Sequence, residues 1–153
     1  MAIYFLQDME CTDDGDLVLD IFGDLKIASP MRTVAQSVNN LIMTDKGDLR
    51  TEPSYGANIG AYVGSRNSTM TRSMMSREIN NALILQDLVS PLDFTVEVIP
   101  VDVDKVAVML DVNGTFVYSP ENYRGPLLSD RTMGINMAYI YPFSDGQIKR
   151  ATS

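Results

Sequence analysis

The stretch DLVLDIFGDLKIASPMRTVAQSVNNLIMTDKGDLRTEPSYG, residues 16–56, carries the order of elements from which the fold is read. Leu17, Leu19 and Ile21 alternate with Val18 and Asp20; after Gly23, Leu25 and Ile27 alternate with Asp24, Lys26 and Ala28. A two-residue period sends successive side chains to opposite faces of an extended chain, so two such runs split at Phe22-Gly23-Asp24 predict a small hairpin. Ser29-Pro30 then marks a helix start. The serine oxygen accepts from an orphan first-turn N–H, and proline at the first helical position has no N–H to lose. Met31, Val34, Ala35, Val38, Leu41 and Ile42 recur at helical spacing, with Arg32, Gln36, Asn39 and Asn40 off that stripe. This predicts an amphipathic helix ending near Lys46-Gly47. A glycine-containing loop follows and closes on Pro53-Ser54-Tyr55-Gly56.

Outward from this unit the chain alternates between helix and sheet signals. Residues 3–6 predict a short edge strand or a terminal arm, and 11–16 (CTDDGD) a turn. Residues 47–65 read as loop with a single helical turn at 58–62. A second helix is predicted over 68–87, its buried side outlined by Met70, Met74, Met75, Ile79, Ala82, Leu83 and Gln86, with Ser90-Pro91 closing it. Phe94, Val96 and Val98 alternate with Thr95 and Glu97; Val106, Val108, Leu110 and Val112 alternate with Ala107, Met109 and Asp111. Asn113-Gly114 between extended runs predicts a hairpin turn. Turn formers fill 119–132, an alternating run over 135–143 reads as either a strand of the same sheet or a donated arm, and the last residues read as frayed. No internal repeat stands out. The fold class expected is α+β: a small antiparallel or mixed sheet packed on two main helices, with an extended C-terminal arm or extra strand.

Composition narrows the chemistry. At 153 residues the chain is long enough for one domain with a core that needs neither metal nor disulfide. Net charge is −8 and the pI near 4.3, so nucleic acid, bound largely through Lys and Arg, is not an expected partner. There is no histidine, which removes the commonest general base and zinc ligand together. Cys11 is the single cysteine, leaving no intrachain disulfide and no imidazole to activate it as a nucleophile. The Asp13-Asp14-Gly15-Asp16 run lacks the closing glutamate of a calcium loop and reads as an Asx-rich turn. No metal, cofactor or catalytic residue is expected. The opening residues lack a basic leader and no apolar run is long enough to span a bilayer, so neither export nor a membrane is expected.

Gly23-Asp24-Leu25, Thr44-Asp45-Lys46-Gly47-Asp48 and Pro53-Ser54-Tyr55-Gly56, set around the capped helix and followed by a long helix and a strand pair, resemble the small baseplate wedge subunit of contractile phage tails. That family includes a component of the type VI secretion baseplate and carries an old lysozyme-like label. The resemblance covers roughly residues 16–118. It implies a sheath-initiator domain over 1–118 and a C-terminal extension, loop plus strand, over 119–153. Where the family carries Glu-Pro-Arg after the long helix, this chain has Ser90-Pro91-Leu92-Asp93, keeping the proline without the charged flanks.

The resemblance implies a structural subunit, present in many copies in a symmetric baseplate and assembled in the host cytoplasm. It would join wedge proteins to the first ring of tail sheath subunits by accepting strands from them. An edge strand's unpaired N–H and C=O groups make such addition physically reasonable. The expected contacts are Glu52, Pro53, Tyr55 and Gly56 in the loop, Pro91 and Asp93 on the wedge side, and Phe94, Val96, Val98, Val108 and Leu110 along the 94–112 edge, whose 94–103 strand has no lysine to guard it. A bulky charge at Gly56 is expected to block incorporation and leave the helices intact. The alternative is a tail-associated muramidase using Glu52, or Glu78 with Asp87; it wants paired carboxylates across a sugar cleft, and the chain has no tryptophan to stack a sugar.

Overall fold

Val106, Val108, Leu110 and Val112 alternate along the central strand of the sheet and set one wall of the core. The computed structural model describes residues 3–5, 8–87, 90–117 and 132–151. Its elements are strand β1 (Ile3–Phe5), helix α1 (Pro30–Met43), a 3₁₀ turn (Ile59–Tyr62), helix α2 (Thr69–Leu85), and strands β2 (Phe94–Asp102), β3 (Lys105–Val117), β4 (Thr132–Pro142) and β5 (Lys149–Arg150). The fold is α+β. β3 is flanked by β2 on one side and β4 on the other, both antiparallel, β5 adds to β4, and β1 lies parallel to β3 beyond the start of β2.

Register aligns the apolar rows: Val106, Val108, Leu110 and Val112 face Tyr141, Tyr139, Met137 and Ile135 across the β3–β4 ladder, and all are buried. Val34, Val38, Leu41 and Ile42 of α1 and Met75, Ile79 and Leu83 of α2 cover this row. Each such side chain contributes about 1.5–3 kcal/mol on burial, so this single interface dominates stability. The other sheet face carries the exposed residues Thr95, Glu97, Asp111 and Asn136. Burial pushes the Tyr139 and Tyr141 hydroxyls up to about 12; Arg150 works against this at Tyr139, whereas Asp45 and Asp145 add to it at Tyr141. Tyr139 donates to Asn39 Oδ1 (3.2 Å), while the Tyr141 hydroxyl is buried without a partner among the described residues.

Several expectations are corrected. Asn113-Gly114 is no turn: β3 runs straight through it, with Asn113 opposite Gly134 and donating to Asp93 O (2.7 Å). Partners on both sides outweigh the local turn preference, and the hairpin closes instead at Val103-Asp104. The extra-strand option holds for 132–142, so the boundary drawn at 118 cuts through one sheet; residues 119–131 lie outside the described residues. The tail is not frayed where it is described: β5 pairs with β4, and Ala151 donates to Ala138 O. Met70 and Met74 are 74% and 42% exposed. The stripe of α2 is rotated toward Met75, Ile79, Ala82 and Leu83, because its Arg72, Ser76 and Asn80 flank lies beside β2.

The expected hairpin is one part of a three-sided unit. Segments 8–12, 16–20 and 24–28 each bond to both of the others. At their centre Glu10 N–H donates to Lys26 O, Lys26 N–H to Val18 O, and Val18 N–H to Glu10 O, a closed ring of 2.8, 2.9 and 2.9 Å. The donors fall every eighth residue, and two corners repeat in detail. Gly15 donates to Thr12 O and Gly23 to Asp20 O; Asp16 N–H reaches Thr12 Oγ1 and Asp24 N–H reaches Asp20 Oδ1. Gly15 and Gly23 both adopt positive φ (92° and 86°), which a side chain would strain. An internal repeat is therefore present where none was read.

The triangle is held to α1 by Gln36, whose amide accepts from Cys11 N–H (2.8 Å) and donates to Met9 O (3.1 Å) as a neighbouring peptide unit would. Arg32 donates to Cys11 O, and Asp13 pairs with Arg32 and Arg150. Two hydrogen bonds contribute about 1–3 kcal/mol net, so Gln36→Ala is expected to raise the reaction rate of the half-buried Cys11 thiol with a disulfide reagent about tenfold, the helical circular dichroism staying unchanged. An unaltered rate would show that Gln36 is not the anchor.

Candidate partner-binding surface

The loop after α1 is built around a backbone approach. α1 stops at Met43, earlier than the Lys46-Gly47 expected, because Thr44 turns extended (φ −106°, ψ 134°) and its hydroxyl bonds back to Asn40 O. Two carbonyls left by the helix end, Leu41 O and Thr44 O, are met by Ala57 N–H at 3.0 and 3.1 Å. Gly56, at φ 114°, makes this possible: a Cβ there would sit 2.4 Å from Thr44 O and 2.9 Å from the Asp45 carbonyl carbon. Gly56 is buried and belongs to the fold, so the expectation that a charge there spares the helices is overturned. Asp45 fastens the next turn by accepting Gly60 N–H (2.9 Å), and Gly60 has no room for a Cβ beside that carboxylate.

The other loop residues divide. Glu52 and Pro53 are exposed on a turn where Tyr55 N–H donates to Glu52 O and Gly47 N–H to Pro53 O. Tyr55 is half-buried against the core; burial first, then the Glu52 charge, raises its pKa. Glu78 is ion-paired with Lys46 (3.1 Å), which ties this loop to α2. At the far end of α2, Pro91 and Leu92 are exposed, but Asp93 is buried and its backbone joins Ser90 and Asn113. Asp93 therefore offers no outward carboxylate, and Leu92, 92% exposed, is the side chain that sequence reading passed over.

The segment that follows the 3₁₀ turn and the Pro91 loop lie toward opposite ends of β2. Gly64 N–H donates to Phe143 O and Asn67 Nδ2 to Asp102 O and Lys105 O, so the segment after the 3₁₀ turn meets the β2–β3 hairpin. The Pro91 loop feeds the start of β2. The side of β2 that no described strand pairs joins the two ends.

The polarity of that edge follows from two bonds. Asp93 O accepts from Asn113 of β3, whereas Val96 O accepts from Ser76 Oγ (3.2 Å) on α2. In an antiparallel pair, alternate residues turn both backbone groups to the same side. Asp93, Thr95, Glu97 and Ile99 thus bond to β3, and Phe94, Val96, Val98 and Pro100 turn outward. Pro100 stands where a missing N–H costs the ladder nothing, and it ends the run of outward donors. A groove of about 560 Å³ runs along this edge, lined by Arg72, Ser76, Arg77 and Asn80 of α2 and by Glu97 and Val98 of β2. The edge is guarded by Ser76 and Pro100, where sequence reading looked only for lysine. Phe94 is buried, and Val96 and Val98 are half-buried against the core, so their backbones rather than their side chains are available.

Val108 and Leu110 do not belong to this edge. They sit on β3, paired on both sides, and are 0% and 1% exposed. A strand flanked on both sides has no backbone group left for another chain, which removes both from the surface. No family model, curated protein or solved structure matches the chain.

Proposed function

We propose that this protein is a structural baseplate subunit that joins the wedge of a contractile phage tail to its first sheath ring, and that it initiates the sheath by accepting a strand along β2. The observation that carries the reading is the outward row of Phe94, Val96 and Val98 backbone groups beside an open groove. A donated strand would bond to that row, displace Ser76 from Val96 O, and stop at Pro100. The exposed Pro91-Leu92 end is the place for wedge proteins, and the exposed Glu52-Pro53 turn is a further contact. The chemistry is hydrogen bonding and apolar burial, with no covalent step. The muramidase reading gains nothing comparable, since Glu78 is held by Lys46 and Glu52 lies on an open turn.

Immunogold electron microscopy of intact particles, with antibody against this chain, tests the placement. Label confined to the baseplate end of a contractile tail is the expected result. Particles that bind no label and contain no peptide of this chain by mass spectrometry would reject it, and hydrolysis of purified peptidoglycan would become the next assay.

A further inference from the structure

The three-sided unit formed by residues 8–28 has one occupied side and two open ones. In segment 8–12 the outward backbone groups are Cys11 N–H and Met9 O, and both are taken by Gln36. The eight-residue repeat places Leu19 N–H with Leu17 O, and Ile27 N–H with Leu25 O, in the equivalent positions. Neither pair has a hydrogen-bond partner among the described residues. Bridges Met9–Ile27, Cys11–Leu17 and Leu19–Leu25 set these residues on one face, where Leu17, Leu19, Leu25 and Ile27 are 46–59% exposed.

The corners differ in the same sense. The first carries Asp13, which binds Arg32 and Arg150 of the body. The second carries Ile21-Phe22 at the equivalent place, 92% and 83% exposed, with nothing among the described residues to receive them. Large apolar side chains gathered at one corner and one face mark an interaction surface rather than scattered exposure. Around them Asp14, Asp16, Asp20 and Asp24 have no cationic partner among the described residues, whereas Glu10 is matched by Lys26. A second copy of this chain, itself carrying net charge −8, would bring the wrong sign to that rim.

We propose that the open sides of the triangle, with the Ile21-Phe22 corner, dock a different protein through an extended apolar segment flanked by Lys or Arg. The segment repeats what Gln36 does on the first side, one acceptor and one donor set two residues apart. Its apolar side chains cover Leu17, Leu19, Leu25 and Ile27, and its cations meet the aspartates. This surface is separate from the β2 edge, so it stands whether or not that edge receives sheath strands.

The test is fluorescence anisotropy of the whole chain with a labelled peptide, acetyl-Lys-Val-Gln-Val-Gln-Val-Lys-amide, against the same peptide with both Lys replaced by Glu. Saturable binding of the Lys peptide is expected, at least tenfold weaker for the Glu peptide. Leu19→Ser and the double change Ile21→Ser with Phe22→Ser should each weaken it about tenfold, with circular dichroism unchanged; the corner pair, wholly on the surface, serves if Leu19→Ser disturbs the fold. Equal binding of the two peptides, no binding, or binding indifferent to the corner pair would overturn the proposal. So would sedimentation showing a dimer that the corner substitutions disperse, since the occupant would then be a second copy.

Discussion

Gly56→Ala is expected to destabilise the protein by about 3 kcal/mol or more, although the position lies in a loop and the change adds one methyl group. The backbone at Gly56 is at φ 114°, a region that a Cβ makes costly by about 1–3 kcal/mol. The added carbon would also fall 2.4 Å from Thr44 O, a backbone atom that cannot swing away as a side chain can. Relief requires moving residues 56–57 away from α1, which breaks the bonds from Ala57 N–H to Leu41 O and Thr44 O and leaves the helix end uncapped. At roughly 2–4 °C per kcal/mol for a chain of this size, the melting temperature should fall by about 6–12 °C. Differential scanning calorimetry checks it. A shift under 2 °C would mean that the loop can move off α1 at little cost.

Val98→Pro is the second large effect, and it should separate assembly from folding. Val98 turns its N–H outward, so proline removes a donor that β3 never used. Glu97→Pro, one residue earlier, removes a bond of the β2–β3 ladder. The expected result is that Val98→Pro remains folded, losing at most about 1–2 kcal/mol of partly buried side chain, whereas Glu97→Pro loses about 3 kcal/mol or more. In complementation of a particle lacking the subunit, Val98→Pro should yield baseplates without attached sheath. Normal contractile tails from this variant would contradict strand addition at β2, and equal destabilisation by the two prolines would contradict the assigned polarity of the edge.

What could be read from sequence divides by how local its cause is. The Ser29-Pro30 start of α1 needs only the first helical turn, and the structure shows Ser29 Oγ accepting Arg32 N–H at 3.2 Å. The alternation of β2 and β3 is equally local, as is the stripe of α1. Asn113-Gly114 misled because its turn preference is weaker than two flanking ladders, and only the arrival of β4 from twenty residues further on decides between them. Met70 and Met74 misled because residues on adjacent faces of a helix both satisfy a loose apolar period, and β2 selects which face is covered.

The site was legible in the same measure. Pro53, Tyr55 and Gly56 could be singled out, but whether Gly56 faces a partner or its own helix depends on Thr44, twelve residues back. The value of Pro100 and Ser76 as guards depends on the parity of β2 against β3, a tertiary fact without a sequence signature. The octad was present all along as Gly15-Asp16-Leu17 and Gly23-Asp24-Leu25. Its apolar residues point to solvent, so no buried stripe marks it in the sequence.

The most direct test of strand addition is residue-resolved amide hydrogen exchange along β2, with and without purified sheath subunits. In the free protein Thr95 and Glu97 should be protected by β3, while Val96 and Val98 exchange rapidly from the open edge. On mixing with sheath subunits, Val96 and Val98 should slow at least tenfold and Thr95 and Glu97 should change little. Protection that leaves Val96 and Val98 exchanging as before, even with the sheath subunit bound, would contradict strand addition at β2.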